Sequence, residues 1–232
     1  MSEFLDFNRF LKRIIQILPY IKVSLGMLIA SMIFGTILGI IVALINIKKI
    51  PVIKQLLQVY ISFMRGTPLL VQMMIVYYGL PLLIQSVLNI DINGWNTIIF
   101  VDIAIVLNEG AFLGEIFRSA ITSVDHTQKE AALTVGMTNL QAYRRIIIPQ
   151  AIRIALPPYG VDMIGVFHNT SLAYSLGVID LMGRAKTLGV ADGHSLEGFL
   201  VVTLIYVLFC LILRLIFKKI NKNISYGRRA KI

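Results

Sequence analysis

The chain has 232 residues, 57% of them hydrophobic and only 15% charged, where a soluble domain carries about a quarter charged residues. Because the apolar residues arrive in long uncharged runs, the sequence reads as a polytopic membrane protein; a disordered chain, a disulfide-stapled module and a freely soluble enzyme are excluded. The formal net charge of +10, from 22 Lys+Arg against 12 Asp+Glu, does not point to nucleic acid, since the cations cluster beside apolar runs as in cytoplasmic loops facing anionic lipid.

In chain order, residues 1–19 form an N-terminal segment with no cleavable signal peptide. Within it, 4–17 reads as an amphipathic helix at the membrane interface, with Phe7, Phe10, Leu11, Ile14 and Leu18 on one face. A helical span needs roughly 20 mostly apolar residues, and five stretches qualify: 23–45, 66–90, 98–117, 154–179 and 198–217. Trp95 stands where an interfacial aromatic would anchor the third. Gly26, Gly35 and Gly39 in the first span suit close helix packing. Cys210, the single cysteine, reads as a small packing residue. Lys and Arg are dense in 46–55 (Lys48, Lys49, Lys54), in 118–153 (Arg118, Lys129, Arg144, Arg145, Arg153) and in the basic tail 218–232. The intervening 91–97 and 180–196 are poor in them, so the N-terminus is expected outside and the C-terminus in the cytoplasm. Arg9, Lys12 and Arg13 run against that orientation.

The cytoplasmic loop at 127–149 is more structured than a connector requires. Thr127-Gln128-Lys129-Glu130 has the form of a capping box, Gly136 would end the short helix in a left-handed conformation, and Thr138 with Gln141 repeats the box spacing. A second helix is expected toward Arg144 and Arg145, broken by Pro149. Ala131 and Ala132 on an exposed helix let another backbone approach closely. Local reasoning leaves two readings open: a protein-docking element, or a helix lying on lipid.

Glu130-Ala131-Ala132, then Gly136, Ile146, Ile148 and Pro149, resemble the EAA loop of ABC importer permeases, with Ile148 where leucine is usual. The segments Phe63–Gln72 and Tyr77–Pro81, Gly110–Arg118, and Asn169-Thr170-Ser171-Leu172 are similar, in order, to the second, third and fourth spans of the polar amino acid permease subfamily. Phe112 replaces a common tyrosine, His168 a frequent lysine, and Thr127 the usual glycine before Gln128. The resemblance covers roughly residues 20–220. It implies an all-α integral membrane protein of the type I ABC importer permease fold, five transmembrane helices with a cytoplasmic coupling helix, working as a homodimer or beside a paralogue. It also implies contact through Glu130, Ala131, Ala132 and Gly136 with a cytoplasmic ATPase dimer, and an extracytoplasmic substrate-binding protein that delivers an amino acid. No Gly-x-x-x-x-Gly-Lys-Ser/Thr loop occurs, so energy must come from the partner and no cofactor is expected in this chain.

Ionisable residues inside a membrane are costly and are functional candidates. Asp102 and Glu109 share a helix face, and Glu109 is expected to line the translocation path and meet a substrate ammonium. His168, Asn169 and Thr170 add polar groups to that path, while Glu115 and Arg118 suit a structural pair, as does Arg65 with one of the carboxylates. His126, His168 and His194 have no metal-ligand spacing, and no catalytic motif supports an enzyme. Two rivals stand beside the importer: an ion-coupled secondary carrier using Asp102, Glu109 and Glu115, and a membrane scaffold that moves no solute.

Overall fold

The computed structural model describes residues 6–48 and 51–229, and the structured part is helical throughout. Asp6 caps the first helix, α1 (Phe7–Ile17), accepting from the backbone N–H of Asn8 at 2.9 Å and of Arg9 at 3.4 Å. A 3₁₀ turn, Leu18–Tyr20, leads straight into α2 (Ile21–Lys48). The expected amphipathic helix is present, although residues 4 and 5 lie outside the described residues. Its apolar face is divided: Phe10 and Ile14 pack on the core with buried Ile17, whereas Phe7, Leu11 and Leu18 are exposed. A helix between protein and lipid meets two apolar surroundings, so one stripe does not serve both.

Two of the three cations that ran against an external N-terminus are neutralised by tertiary contacts. Arg9 pairs with Glu197 at 3.4 Å, and buried Arg13 pairs with Asp192 and donates to the Leu188 carbonyl at 3.2 Å. Both acids belong to the corner between α9 (Leu181–Asp192) and α10 (Leu196–Arg229). Desolvation pushes the Asp192 carboxyl up, but the His194 backbone N–H and the charges of Arg13 and Arg9 outweigh it and hold that carboxyl below the usual range.

The second span is α4 (Leu69–Leu88), within the expected 66–90. It is preceded by a helix that was not expected, α3 (Pro51–Gly66), and the two meet at a break at Thr67-Pro68. Residues 51–55, expected in a loop, belong to α3, and Lys49 lies outside the described residues. Pro68 cannot donate to a continuing ladder. Unpaired carbonyls beside hydrocarbon are costly, and here Gln72 satisfies them: its side-chain amide donates to the Met64 carbonyl at 2.9 Å and to the Thr67 carbonyl at 3.1 Å, and also to the Thr67 hydroxyl at 2.8 Å. Buried Asn108 donates to the Gln72 oxygen at 2.9 Å and to the Met64 carbonyl at 3.0 Å.

The third span is α5 (Thr97–Thr122), capped by Asn96. It runs parallel to α2 at very short range. A Cβ added at Gly35 would stand 2.8 Å from the Glu109 Cβ, and one at Gly39 would stand 2.8 Å from the Leu113 Cβ and 3.0 Å from the Gly114 nitrogen. Gly35 and Gly39 therefore do what was expected of them; Gly26 faces open space and does not.

The fourth span is α8 (Ile148–Asn169), antiparallel to α5, followed by a 3₁₀ segment, Thr170–Leu176, and a reversal at Gly177 with φ +87°. The helix thus ends well before residue 179. Its proline pair, Pro157-Pro158, and its polar residues also lower its hydropathy. Among the described residues the stretches long and apolar enough to cross a membrane are Phe7–Lys48, Leu69–Leu88, Thr97–Thr122 and Leu196–Lys222, and α8 is not one of them. Gly160 admits the Phe217 ring, which fastens α8 to α10. The last helix continues through the tail to Arg229 instead of ending at 217; residues 230–232 lie outside the described residues.

Candidate functional site

The loop between α5 and α8 forms a compact unit built by local chemistry. α6 (His126–Thr134) is capped by Asp125, which accepts from the Thr127 N–H at 3.0 Å. The cap therefore lies two residues before Thr127, and the box expected at Thr127–Glu130 does not form. That backbone hydrogen bond, and then the Thr127 hydroxyl, hold the Asp125 carboxyl below the ordinary aspartate range. At the other end Gly136 takes φ +85°. Its N–H reaches the Leu133 carbonyl at 3.0 Å and that of Met137 the Ala132 carbonyl at 3.1 Å, the paired closure of a Schellman motif.

The second box forms as expected: Thr138 and Gln141 exchange hydrogen bonds of 2.9 and 3.3 Å at the start of α7 (Asn139–Ala142). Pro149 does not break the chain's helical course. A π-helical turn, Tyr143–Ile147, precedes it, and the proline falls at the first turn of α8, where its missing N–H costs nothing. Two contacts close the unit: Gln150 donates to Gln128 at 2.5 Å, and Lys129 stands over the Tyr143 ring at 5.2 Å.

The two alanines part company. Ala132 is 3% exposed, turned to the inside of the loop where α6 packs on α7, while Glu130 and Ala131 face outward. An α-helix turns about 100° per residue, so neighbours in sequence cannot share a narrow face. Val135, one turn on from Ala131, is 75% exposed, and Leu140 at the start of α7 is 77% exposed.

The second candidate set lies between the helices. Glu109 is 3% exposed, packed over Gly35 and facing Asp162 of α8. It sits in the seam of α2, α5 and α8 and not on an open cavity. Asp102 turns to the same helix, reaching Ser31 at 3.4 Å, so the face shared by the two carboxyls is real and is directed at α2. Buried Thr170 bonds the Phe167 carbonyl at 2.8 Å. His168 is exposed, with its Nε2 3.1 Å from the Cys210 sulfur; Cys210 is thus a hydrogen-bonding partner, more than a packing residue. Asn169 is half-buried beside it. Glu115 and Arg118 form the expected pair, and Arg65 stacks on Phe112 at 5.3 Å in the same cleft. The described residues contain no group of three or more metal-ligating side chains.

Asp162 was not singled out in the sequence; its partnership with Glu109 joins residues fifty-three apart and left no local mark. Gln72 and Asn108 were not singled out at all. The signal for α3 was present, in Leu57, Tyr60, Ile61 and Met64 at helical spacing, the residues that pack α3 on Val42 and Ala111.

Residues 35–226 match the family model described as binding-protein-dependent transport system inner membrane component. The chain is 39% identical to the L-cystine transport system permease protein TcyL of Bacillus subtilis (strain 168), over 96% of this chain and 95% of the relative. It is 46% identical to the probable amino-acid permease protein YxeN of the same organism, over 83% of each. Among solved structures, an amino acid ABC transporter crystallised with histidines superposes with a TM-score of 0.83 at 27% identity, covering 94% of this chain and 99% of the other.

Proposed function

The chain belongs to the binding-protein-dependent transport system inner membrane components, and from that premise we propose that it is the permease subunit of an ATP-driven amino acid importer, coupled to a cytoplasmic ATPase through α6. The family, the amino acid permeases among its relatives and the superposition on an amino acid ABC transporter carry the subunit assignment. The observation that carries the coupling is the exposed face of α6: Glu130 and Ala131 point away from the bundle, fastened by Asp125 before them and Gly136 after them. Ala131 is the point of closest approach for the ATPase, and Ala132 holds the loop's own packing.

In this reading five helical spans set the N-terminus outside and α6 in the cytoplasm. A second copy or a paralogue completes the path, and an external binding protein delivers the substrate. Glu109, with Asp162, is a buried polar seam that the transport cycle opens; His168, Asn169 and Thr170 supply polar groups further along. L-cystine is the first substrate to test, because a relative of nearly the same length is named for it.

The test is co-purification in mild detergent followed by uptake. A tagged wild-type chain is expected to recover an ABC ATPase; Ala131→Arg and Gly136→Pro are expected to insert normally, lose the ATPase and abolish uptake. ATP-driven uptake by either variant would end the coupling assignment. Uptake that is abolished by an uncoupler and indifferent to ATP would favour the ion-coupled carrier. Glu109→Gln is expected to change the rate or the selectivity of uptake; unchanged transport would remove it from the path.

A further inference from the structure

A polar cleft of about 760 Å³ lies between α3 and α5, at the end of the bundle that carries α6. Its α3 wall presents Lys54, Gln58 and Arg65, and its α5 wall Phe112, Glu115 and Arg118. Three kinds of contact hold α3 to the bundle. The Tyr60 hydroxyl donates to the Leu107 carbonyl at 2.5 Å. Leu57, Ile61 and Met64 cover Val42 and fully buried Ala111. Arg65 lies over the Phe112 ring at 5.3 Å, and its charge acts on Glu115, which is also paired with Arg118. On the opposite face of α3, Val52, Leu56 and Val59 are each about two-thirds exposed, so an outward movement meets no other helix of this chain.

The joint at Thr67-Pro68 keeps its hydrogen bonds while its angle changes. The helical ladders stop on either side of it, and a Cβ at Gly66 would meet nothing within 4 Å. The Gln72 amide group has two hydrogens and three acceptors within 3.1 Å: the Met64 carbonyl, the Thr67 carbonyl and the Thr67 hydroxyl. The Met64 carbonyl has a second donor in Asn108, which also donates to the Gln72 oxygen. One of these bonds can therefore lapse without leaving a buried group unpaired, the costly case. Asn108 of α5 grips the last turn of α3 and the first turn of α4 together, which makes it the fixed point of the joint.

We propose that α3 is a gate arm that pivots at Thr67-Pro68 and, by swinging away from α5, opens the polar cleft at the end of the bundle that carries α6. Closed, the arm is latched by Tyr60 on Leu107 and by Arg65 on Phe112 and Glu115. Opening gives up one hydroxyl hydrogen bond, the Arg65 contacts and a small apolar seam, while the close packing of α2 on α5 is untouched. Swung outward, the apolar face of α3 stays in hydrocarbon, and its polar face still borders the cleft. In the importer reading above, the cleft is the inner mouth of the path and α3 its cytoplasmic gate. The inference rests on that reading only for what passes through; the movement is measured on the chain alone and fails or succeeds independently of it.

The experiment is the rate at which iodoacetamide, a neutral reagent, labels Ala111→Cys in the detergent-purified full-length chain carrying Cys210→Ser. Ala111 is covered by α3, whereas Ala104, equally buried on α5, lies in the main core away from it. Ala111→Cys is expected to label slowly and Ala104→Cys not at all. Tyr60→Phe, which keeps the ring and removes the hydroxyl, should speed labelling at 111 about fivefold, the factor that the net worth of one hydrogen bond gives. Glu115→Gln should speed it as well. A rate at 111 unchanged by both variants, or one that rises equally at 104, overturns the gate. Spin labels at exposed Leu56 and Leu204 serve if the buried cysteines do not fold. Two distances are expected between them, the longer one enriched by Tyr60→Phe; a single distance common to both chains overturns the movement.

Discussion

The seam between α2 and α5 and the loop from Asp125 to Gln150 are held by opposite means. In the seam, glycines on each helix bring the backbones together until a single methyl group at Gly39 would collide with Leu113 and the Gly114 nitrogen. In the loop, hydrogen bonds at helix ends do the holding, and the space around Gly136 is open. The contrast shows where this molecule spends its packing. A membrane interior gives helices little hydrophobic reason to associate, so close contact must supply it. The loop instead leaves Val135 and Leu140 exposed and relies on local caps.

That contrast can be broken most severely at Gly39. Gly39→Val should destabilise the fold at the top of the about 1–3 kcal/mol range for overpacking, because backbone is among the atoms it strikes. Thermal unfolding in mild detergent measures this, and an unchanged midpoint would mean that the seam is looser than these distances. Next comes Gln72→Leu, which strips the carbonyls at the Thr67-Pro68 break of a donor inside the membrane. A loss of about 1–3 kcal/mol is expected, read in the same melt, with Gln72→Met as the variant of like size that cannot donate. Gly136→Ala should leave the whole-protein melt almost unmoved. It places a Cβ in left-handed backbone at a local cost of about 1–2 kcal/mol, so ATPase capture should fall while the fold persists; a large shift in midpoint with normal capture would invert the comparison.

Asp125→Ala is the gentlest test. The folded-state value of Asp125 is depressed, so its stabilisation is complete above its unfolded value near pH 4 and is lost as pH falls through the lower folded value. Amide protection of residues 126–134, corrected for intrinsic exchange, should drop in the variant at neutral pH and converge with wild type in acid. Equal protection at neutral pH would assign the helix start to something other than the cap.

Much of this was legible in the chain. Gly136 and the Thr138–Gln141 box were readable because a cap is decided by residues three or four apart. The first, second, third and fifth spans were readable because hydrocarbon thickness sets their length. Other features were misread for the same reason in reverse. Asp125 displaced Thr127 as the cap, since several nearby groups could compete for the same N–H. A proline taken as a terminator at 149 was absorbed by a π-helical turn, and the helix that was missed, α3, lies before the second span, on the far side of the break at Thr67-Pro68.

Composition and local pattern thus determined on their own that the chain is helical, that it lives in a membrane, and that one capped loop stands apart. The tertiary structure alone decided which charges have partners. Arg13 with Asp192, Glu109 opposite Asp162, and Asn108 on Gln72 each join residues far apart in sequence. An ion or an amide in low dielectric is tolerable only where its partner is, and the position of the partner is set by how helices pack, which no window of neighbouring residues records.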